Sequence, residues 1–236
     1  MSALPLDPAE TANGFAQLPL SPAVLAAVER CGYRRPTPIQ AGCIPHAIAG
    51  RDVIGQAQTG TGKTAAFLLP FLSTWKPEEA EGPFALVLAP TRELVVQVAE
   101  EVEKLAPDPA CRAASIIGGQ RMKSQLNALK RGVALVIGTP GRVLDHLKRG
   151  TLSLDKVRYA VLDEADRMLD IGFRPDIERI LKRTPASRQT MLFSATMPPP
   201  VMRLTERYMM EPHGSGANDG RQDPADVPDG GRGSQV

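Results

Sequence analysis

Residues 57–64 read Ala57-Gln58-Thr59-Gly60-Thr61-Gly62-Lys63-Thr64, a glycine-rich turn that ends in a lysine and a hydroxyl side chain. The apolar run Asp52-Val53-Ile54-Gly55 precedes it, and a helix-like run, Ala65-Ala66-Phe67-Leu68-Leu69, follows. A strand, a glycine-rich turn closing on Lys-Thr and then a helix is the phosphate-cradling P-loop arrangement. Gln58, Thr59, Gly60, Thr61 and Gly62 form the cradle, the glycines allowing backbone N–H groups to converge on a phosphate. The helix N-terminus adds partial positive charge. Lys63 is placed to reach the β- and γ-phosphates of a nucleotide, and the Thr64 hydroxyl to hold Mg²⁺. The first position is Ala57 rather than glycine, so the pattern is met in its looser form. From this stretch alone, a plain Gly/Thr turn with a surface lysine is the alternative.

Working outward, the chain repeats one rhythm: a short apolar run, then a polar turn. Phe84-Ala85-Leu86-Val87-Leu88-Ala89 ends at Pro90-Thr91-Arg92-Glu93, and Arg112-Ala113-Ala114-Ser115-Ile116-Ile117 at Gly118-Gly119-Gln120. Ala134-Leu135-Val136-Ile137-Gly138 ends at Thr139-Pro140-Gly141-Arg142. Tyr159-Ala160-Val161-Leu162 ends at Asp163-Glu164-Ala165-Asp166, and Thr190-Met191-Leu192-Phe193 at Ser194-Ala195-Thr196. Near-continuous apolar strands alternating with helices predict an α/β fold, a mostly parallel sheet with helices on both faces. Ligands of such sheets bind beyond the carboxyl ends of the strands, where all these turns fall. One shared site is therefore expected. At that site Asp163 is positioned to hold a metal and Glu164 to polarise water; an acidic helix N-terminus is the structural alternative.

Upstream, Ser21-Pro22 and Thr37-Pro38 each read as an N-cap followed by a proline at the first helical position. The second opens a helix with Gln40 in its first turn. A glutamine amide matches adenine N6 and N7 in a bidentate pair; a solvent-facing glutamine is the alternative.

A chain of 236 residues, 42% hydrophobic and 23% charged, suits a globular fold with an ample core. No apolar run approaches the ~20 residues that span a bilayer, and the N-terminus lacks the pattern of a signal peptide. No membrane association and a cytoplasmic location are expected. Cys31, Cys43 and Cys111 have no CxxC spacing, which predicts neither a zinc site nor disulfides, only small buried or half-buried thiols. Net charge is +2; the residues from 213 onward hold four Asp and two Arg, leaving +4 on the rest. That balance is compatible with a basic patch. Residues 1–14 are expected to be flexible, and the Gly/Pro/Asp-rich stretch 213–236 to be a disordered tail.

Asp163-Glu164-Ala165-Asp166 spells the signature of the DEAD-box ATP-dependent RNA helicases, and the chain resembles that family in seven motifs in order. They are the Gly32 to Gln40 segment with Phe15 upstream, residues 57–64, 90–93, Gly118-Gly119, 139–142, 163–166 and 194–196. The resemblance covers about residues 15–212, the first of the family's two RecA-like domains, and the second domain is expected to be absent. It implies that Gln40 reads the adenine of ATP, with Phe15, Tyr33, Arg35 and Thr37 framing it. Lys63, Asp163 and Glu164 carry catalysis, and Thr64 with Asp163 holds Mg²⁺. Pro90, Thr91, Arg92, Gly119, Thr139, Pro140, Gly141 and Arg142 lie on RNA, through phosphates and 2′-hydroxyls rather than bases. Asp166, Ser194 and Thr196 couple the nucleotide to strand opening. Without the second domain, and the arginine finger it brings, hydrolysis by this chain is expected to be very weak. Two other readings are a non-catalytic ATP- and RNA-binding module and a different P-loop NTPase such as a DNA helicase.

Overall fold

The apolar runs become seven strands, all parallel, in a computed structural model that describes residues 14–77 and 82–216. A 3-10 turn, Gly14–Gln17, leads into α1 (Pro22–Arg30), α2 (Pro38–Ile48), β1 (Val53–Gln56) and α3 (Lys63–Thr74). There follow β2 (Ala85–Leu88), α4 (Arg92–Leu105), β3 (Ala113–Ile116), α5 (Met122–Lys130), β4 (Leu135–Gly138) and α6 (Pro140–Lys148). The chain then forms β5 (Tyr159–Leu162), α7 (Ala165–Asp170), α8 (Arg174–Leu181), β6 (Gln189–Ser194), α9 (Pro199–Tyr208) and β7 (His213–Gly216). Spatial order is β3-β4-β2-β5-β6-β1-β7.

Strand side chains alternate between faces, and here both faces are apolar. Ala85 and Val87 of β2 join Phe67, Val98 and Ile44 in a core under α1–α4. Leu86 and Leu88 join Val143, Met168, Ile177 and Val201 in a second core under α5–α9. Helix α3 is buried along nearly its whole length, which explains why its sequence shows no polar face. Because every strand is parallel, every strand-end turn emerges on one rim.

The tail expectation needs correction at its start. His213–Gly216 form β7, pairing in parallel with β1 from Val53↔His213 to Gln56↔Gly216. Two anchors beyond the ladder hold it: the His213 N–H donates to the Asp52 carbonyl at 2.9 Å, and the His213 ring lies 3.6 Å from that of His46. The buried Asp52 carboxylate also accepts from Thr190 N–H (2.7 Å) and Met210 N–H (2.6 Å). Residues 217–236, the rest of the expected tail, and 1–13 of the expected flexible N-terminus lie outside the described residues; Gly14 belongs to the first turn and donates its N–H to the Arg34 carbonyl at 3.0 Å. Cys43 and Cys111 are buried as expected, whereas Cys31, at the exposed end of α1, is open to solvent.

Candidate functional site

The turn after β1 is built by its own side chains. Ala57 N–H donates to the Ser194 carbonyl (3.0 Å), extending the β1–β6 pairing by one residue, and the Thr61 hydroxyl donates to the Gln58 carbonyl (2.7 Å). Gly62 precedes α3 with φ +89°, a left-handed conformation that favours glycine. A Cβ there would sit 2.4 Å from Nε2 of Gln40.

That neighbour revises the expectation for Gln40. Its Oε1 accepts from Thr37 N–H (2.9 Å), while its Nε2 donates to the Gly62 carbonyl (3.0 Å). The residue is 1% exposed. In this conformation the amide nitrogen braces the P-loop, the oxygen closes the cap of α2, and Gln40 does not line the cavity. Phe15 is corrected more firmly: it is fully buried, and its ring meets the edge of Tyr33 with centroids 6.1 Å apart. The turn at residues 14–17 inserts it into the core behind Tyr33, which itself lines the cavity. Arg35 and Gln58 are exposed, and neither they nor Thr37 and Thr61 line the cavity.

The cavity, about 700 Å³, is lined by Tyr33, Thr59, Gly60, Gly62, Lys63 and Thr64 on one side and by Asp163 and Glu164 on the other. The third wall is a polar stripe of α4, including Glu93, Gln97, Glu100 and Glu101. Sequence reading missed that wall, although its three-to-four-residue spacing along a helix was the available signal. Glu101 accepts a hydrogen bond from the Tyr33 hydroxyl, and burial, reinforced by that carboxylate, raises the phenol's pKa.

Lys63 and Asp163 face each other at the cavity floor, Nζ to Oδ1 3.8 Å, both buried. Neither atom has a hydrogen-bond partner among the described residues. Burial pushes the Asp163 carboxyl up to about 6; Lys63 pulls it back, while neighbouring Glu164 adds to the rise. Buried charged groups demand partners, and this pair does not satisfy its own. Phosphate oxygens on Lys63, and a cation shared by Thr64 and Asp163, would meet that demand. Mg²⁺ characteristically takes one or two protein oxygens and the rest from phosphate and water.

Glu164 follows with φ 54° and ψ 53°, a left-handed backbone at a non-glycine residue. That strain turns its carboxylate to the cavity rim, 3.5 Å from Nη1 of Arg167. Asp166 and the turn after β6 are joined: Oδ2 accepts from the Thr196 N–H (2.9 Å) and hydroxyl (2.8 Å), and the Asp166 N–H donates to the Ser194 hydroxyl (3.1 Å). Burial acts to raise the Asp166 pKa, but hydrogen bonds from Thr196, Arg167 and Ser194 together outweigh it and lower the value.

The remaining strand-end turns continue along the same rim, beginning with Thr91, which still lines the cavity. Thr91 caps α4, its hydroxyl accepting from Leu94 N–H (3.3 Å), and Thr139 occupies the cap of α6 with Pro140 buried behind it. Arg92 is exposed and lays its guanidinium over Gly119, where φ is +78° and a Cβ would stand 2.2 Å from Nη1. Gly141 is exposed and Arg142 half-buried, Nη1 resting 4.0 Å from Met122 Sδ. The eight predicted residues 90–92, 119 and 139–142 thus fall on three adjacent strands, with cations at two helix starts. Among the described residues no group of three His, Cys, Asp or Glu could hold a metal, and no helix is long and apolar enough to cross a membrane.

Comparison with known proteins agrees with this layout. The family model for DEAD/DEAH box helicase matches residues 37–204. The chain is 53% identical over 205 residues to "ATP-dependent RNA helicase DeaD" of Escherichia coli (strain K12), covering 86% of this chain and 32% of that protein. It is 52% identical over 198 residues to "DEAD-box ATP-dependent RNA helicase CshA" of Geobacillus kaustophilus, covering 84% and 42%. A crystal structure of a DEAD box protein from the hyperthermophile Methanococcus jannaschii superposes with a TM-score of 0.83 at 42% identity, over 87% of this chain and 56% of that one. The chain spans about a third of the length of the DeaD proteins it matches.

Proposed function

The chain belongs to the DEAD/DEAH box helicase family, and on that premise we propose that it is the ATP-binding part of an ATP-dependent RNA helicase. The carrying observation is the buried Lys63–Asp163 pair, whose facing atoms Nζ and Oδ1 lie 3.8 Å apart and have no hydrogen-bond partner among the described residues. In this reading residues 59–62 cradle the phosphates, Lys63 neutralises the β- and γ-oxygens, and Thr64 with Asp163 holds Mg²⁺. When bound, the metal offsets charge on the transferring phosphoryl group. Glu164, turned to the rim by its left-handed backbone, takes a proton from the attacking water. Tyr33 supports the base, with Phe15 behind it. Gln40 has one N–H and one oxygen lone pair beyond its bonds to Thr37 and Gly62, and these read adenine, so one amide serves both the nucleotide and the P-loop.

Arg92, Gly119, Thr139, Gly141 and Arg142, with Pro90, Thr91 and Pro140 shaping their turns, contact RNA phosphates and 2′-hydroxyls. Asp166 links the two sites through Ser194 and Thr196: β6 lies between β1 and β5, so movement at Asp163–Glu164 is felt in the turn that follows β6. A cytoplasmic location goes with that substrate. Hydrolysis by the 236-residue chain is very weak, because its residues supply one wall of a two-domain cleft and duplex unwinding belongs to the pair. The test is phosphate release with and without single-stranded RNA, alone and with the second RecA-like domain of a relative added in trans. RNA-stimulated turnover only in the paired mixture supports the reading; robust turnover by the chain alone removes the need for a second wall.

A further inference from the structure

A line of buried polar side chains runs from α6 through α5 to the Gly118-Gly119 turn. The His146 ring, fully buried, has Nδ1 2.9 Å from the Thr151 hydroxyl and Nε2 3.2 Å from Gln125 Oε1. Gln125, also buried, donates its Nε2 to the Ile117 carbonyl at 2.9 Å. The direction of the line follows from donor chemistry. A carbonyl can only accept, so Gln125 must turn its NH₂ to Ile117, which leaves its oxygen facing His146. The imidazole must then present Nε2–H, which in a neutral ring leaves Nδ1 an acceptor facing the Thr151 hydroxyl, whose one proton is shared between Nδ1 and the His146 carbonyl at 3.1 Å. Burial, helped by the Arg142 charge and opposed by Asp145, lowers the pKa of the imidazole and favours that neutral form.

We propose that Gln125 and His146 are positioning residues of the RNA-facing rim, holding the turn at residues 117–119 in register with the start of α6. The proposal rests on the reading of that rim as an RNA site. Ile117 is the residue immediately before Gly118-Gly119, and Gly119 is the floor on which the Arg92 guanidinium lies. His146 sits one helical turn beyond Arg142 on α6. The line therefore ties together the turns after β3 and β4, and through Gly119 it sets the seat of the arginine that follows β2. The two inner links, His146 to Gln125 and Gln125 to Ile117, are buried, so cutting one leaves a carbonyl or an amide without a partner where water does not replace it, and the turn loosens.

The experiment uses the full 236-residue chain and four variants. Gln125→Met keeps side-chain volume without hydrogen bonding, and His146→Leu removes both ring nitrogens. His146→Gln restores a donor towards Gln125, and Thr151→Val cuts only the outer end. Readouts are amide hydrogen exchange at residues 117–119, affinity for a fluorescent single-stranded RNA, affinity for ATP·Mg²⁺, and thermal unfolding. Gln125→Met and His146→Leu are expected to speed exchange in that turn and weaken RNA binding about tenfold, with ATP affinity unchanged. His146→Gln is expected to recover most of the RNA affinity, and Thr151→Val to fall between. Unchanged exchange at residues 117–119 in Gln125→Met and Thr151→Val would overturn the proposal, as would equal losses of RNA and ATP affinity in the folded variants. A wild-type chain that binds no RNA would instead remove the reading of the rim, while exchange still reports whether the line holds the turn.

Discussion

Two regions of one rim carry charge in opposite ways. Between β1 and β5, Lys63 and Asp163 are buried, and their facing atoms Nζ and Oδ1 have no hydrogen-bond partner among the described residues. Along β2, β3 and β4, Arg92 is exposed and Arg142 half-buried, both at the starts of helices. Two charges 4 Å apart interact by about 1 kcal/mol in water but about 4 kcal/mol at a protein-like effective dielectric of ~20. The pocket is thus a place where one charge decides binding and pKa values move. The face is a place where several weak, salt-screened contacts add.

The sharpest way to break that contrast is Lys63→Ala. ATP·Mg²⁺ affinity by calorimetry should fall by about a hundredfold or more, while RNA affinity stays put; a loss under threefold would dissolve the distinction between pocket and face. Next in size is a pH effect confined to the pocket. The Asp163 carboxyl titrates at about 6 in the folded chain, above the ordinary carboxylate value of about 4. Protonation removes the metal-holding charge, so Mg²⁺-dependent nucleotide affinity should fall about tenfold per pH unit below that point. Stability of the ligand-free chain should move the other way. Between about pH 4 and 6 the folded state binds the proton that the unfolded state releases, so stability rises as pH falls through this window. Asp163→Asn should abolish both trends; nucleotide affinity that is flat from pH 7.5 to 5 would count against the buried-charge account.

On the face, Arg92→Ala and Arg142→Ala should each weaken RNA binding about fivefold, uniformly across sequences. Each should also reduce the slope of log affinity against log salt by roughly one. A sequence-selective loss would mean that these arginines read bases. The smallest expected effect lies where the regions join. Thr196→Val removes one of the two Thr196 bonds to Asp166 and should cost at most about 1 kcal/mol in thermal unfolding. Because the Asp166 pKa is lowered, its contribution is present above the ordinary carboxylate value and lost as pH falls below it. The wild-type advantage over Thr196→Val should therefore shrink in acid, and an advantage that grows there would contradict the assignment.

Features written locally were legible. The 57–64 turn, the strand ends and the proline-led helix starts all stand close to where periodicity and capping put them, because glycine, proline and apolar runs constrain the backbone directly. Features that need a distant partner were not. His213-Gly214-Ser215-Gly216 has no strand propensity of its own; it is a strand because β1 offers an unpaired edge and Asp52 and His46 hold its start. Phe15 resembles a ligand-framing aromatic in sequence, but the turn at 14–17 folds it inward against Tyr33. Gln40 was recognised as chemically important, yet its present partners, Thr37 and Gly62, come from its own cap and from 22 residues downstream. The line through Gln125 and His146 left no trace in the sequence beyond two polar residues on helices that otherwise look amphipathic. Its meaning exists only once α5 and α6 are side by side.

The parallel sense of β7 fixes a point of departure. Gly216 lies beside Gln56, one residue before the 57–64 turn begins. Whatever the polypeptide attaches there is launched from the lip of the nucleotide cavity. An antiparallel final strand would have launched it from the opposite end of the sheet, roughly 13 Å away at ~3.3 Å per residue. A module held near that lip would meet the cavity at an effective concentration of about millimolar, so even a feeble contact between the two would be populated much of the time.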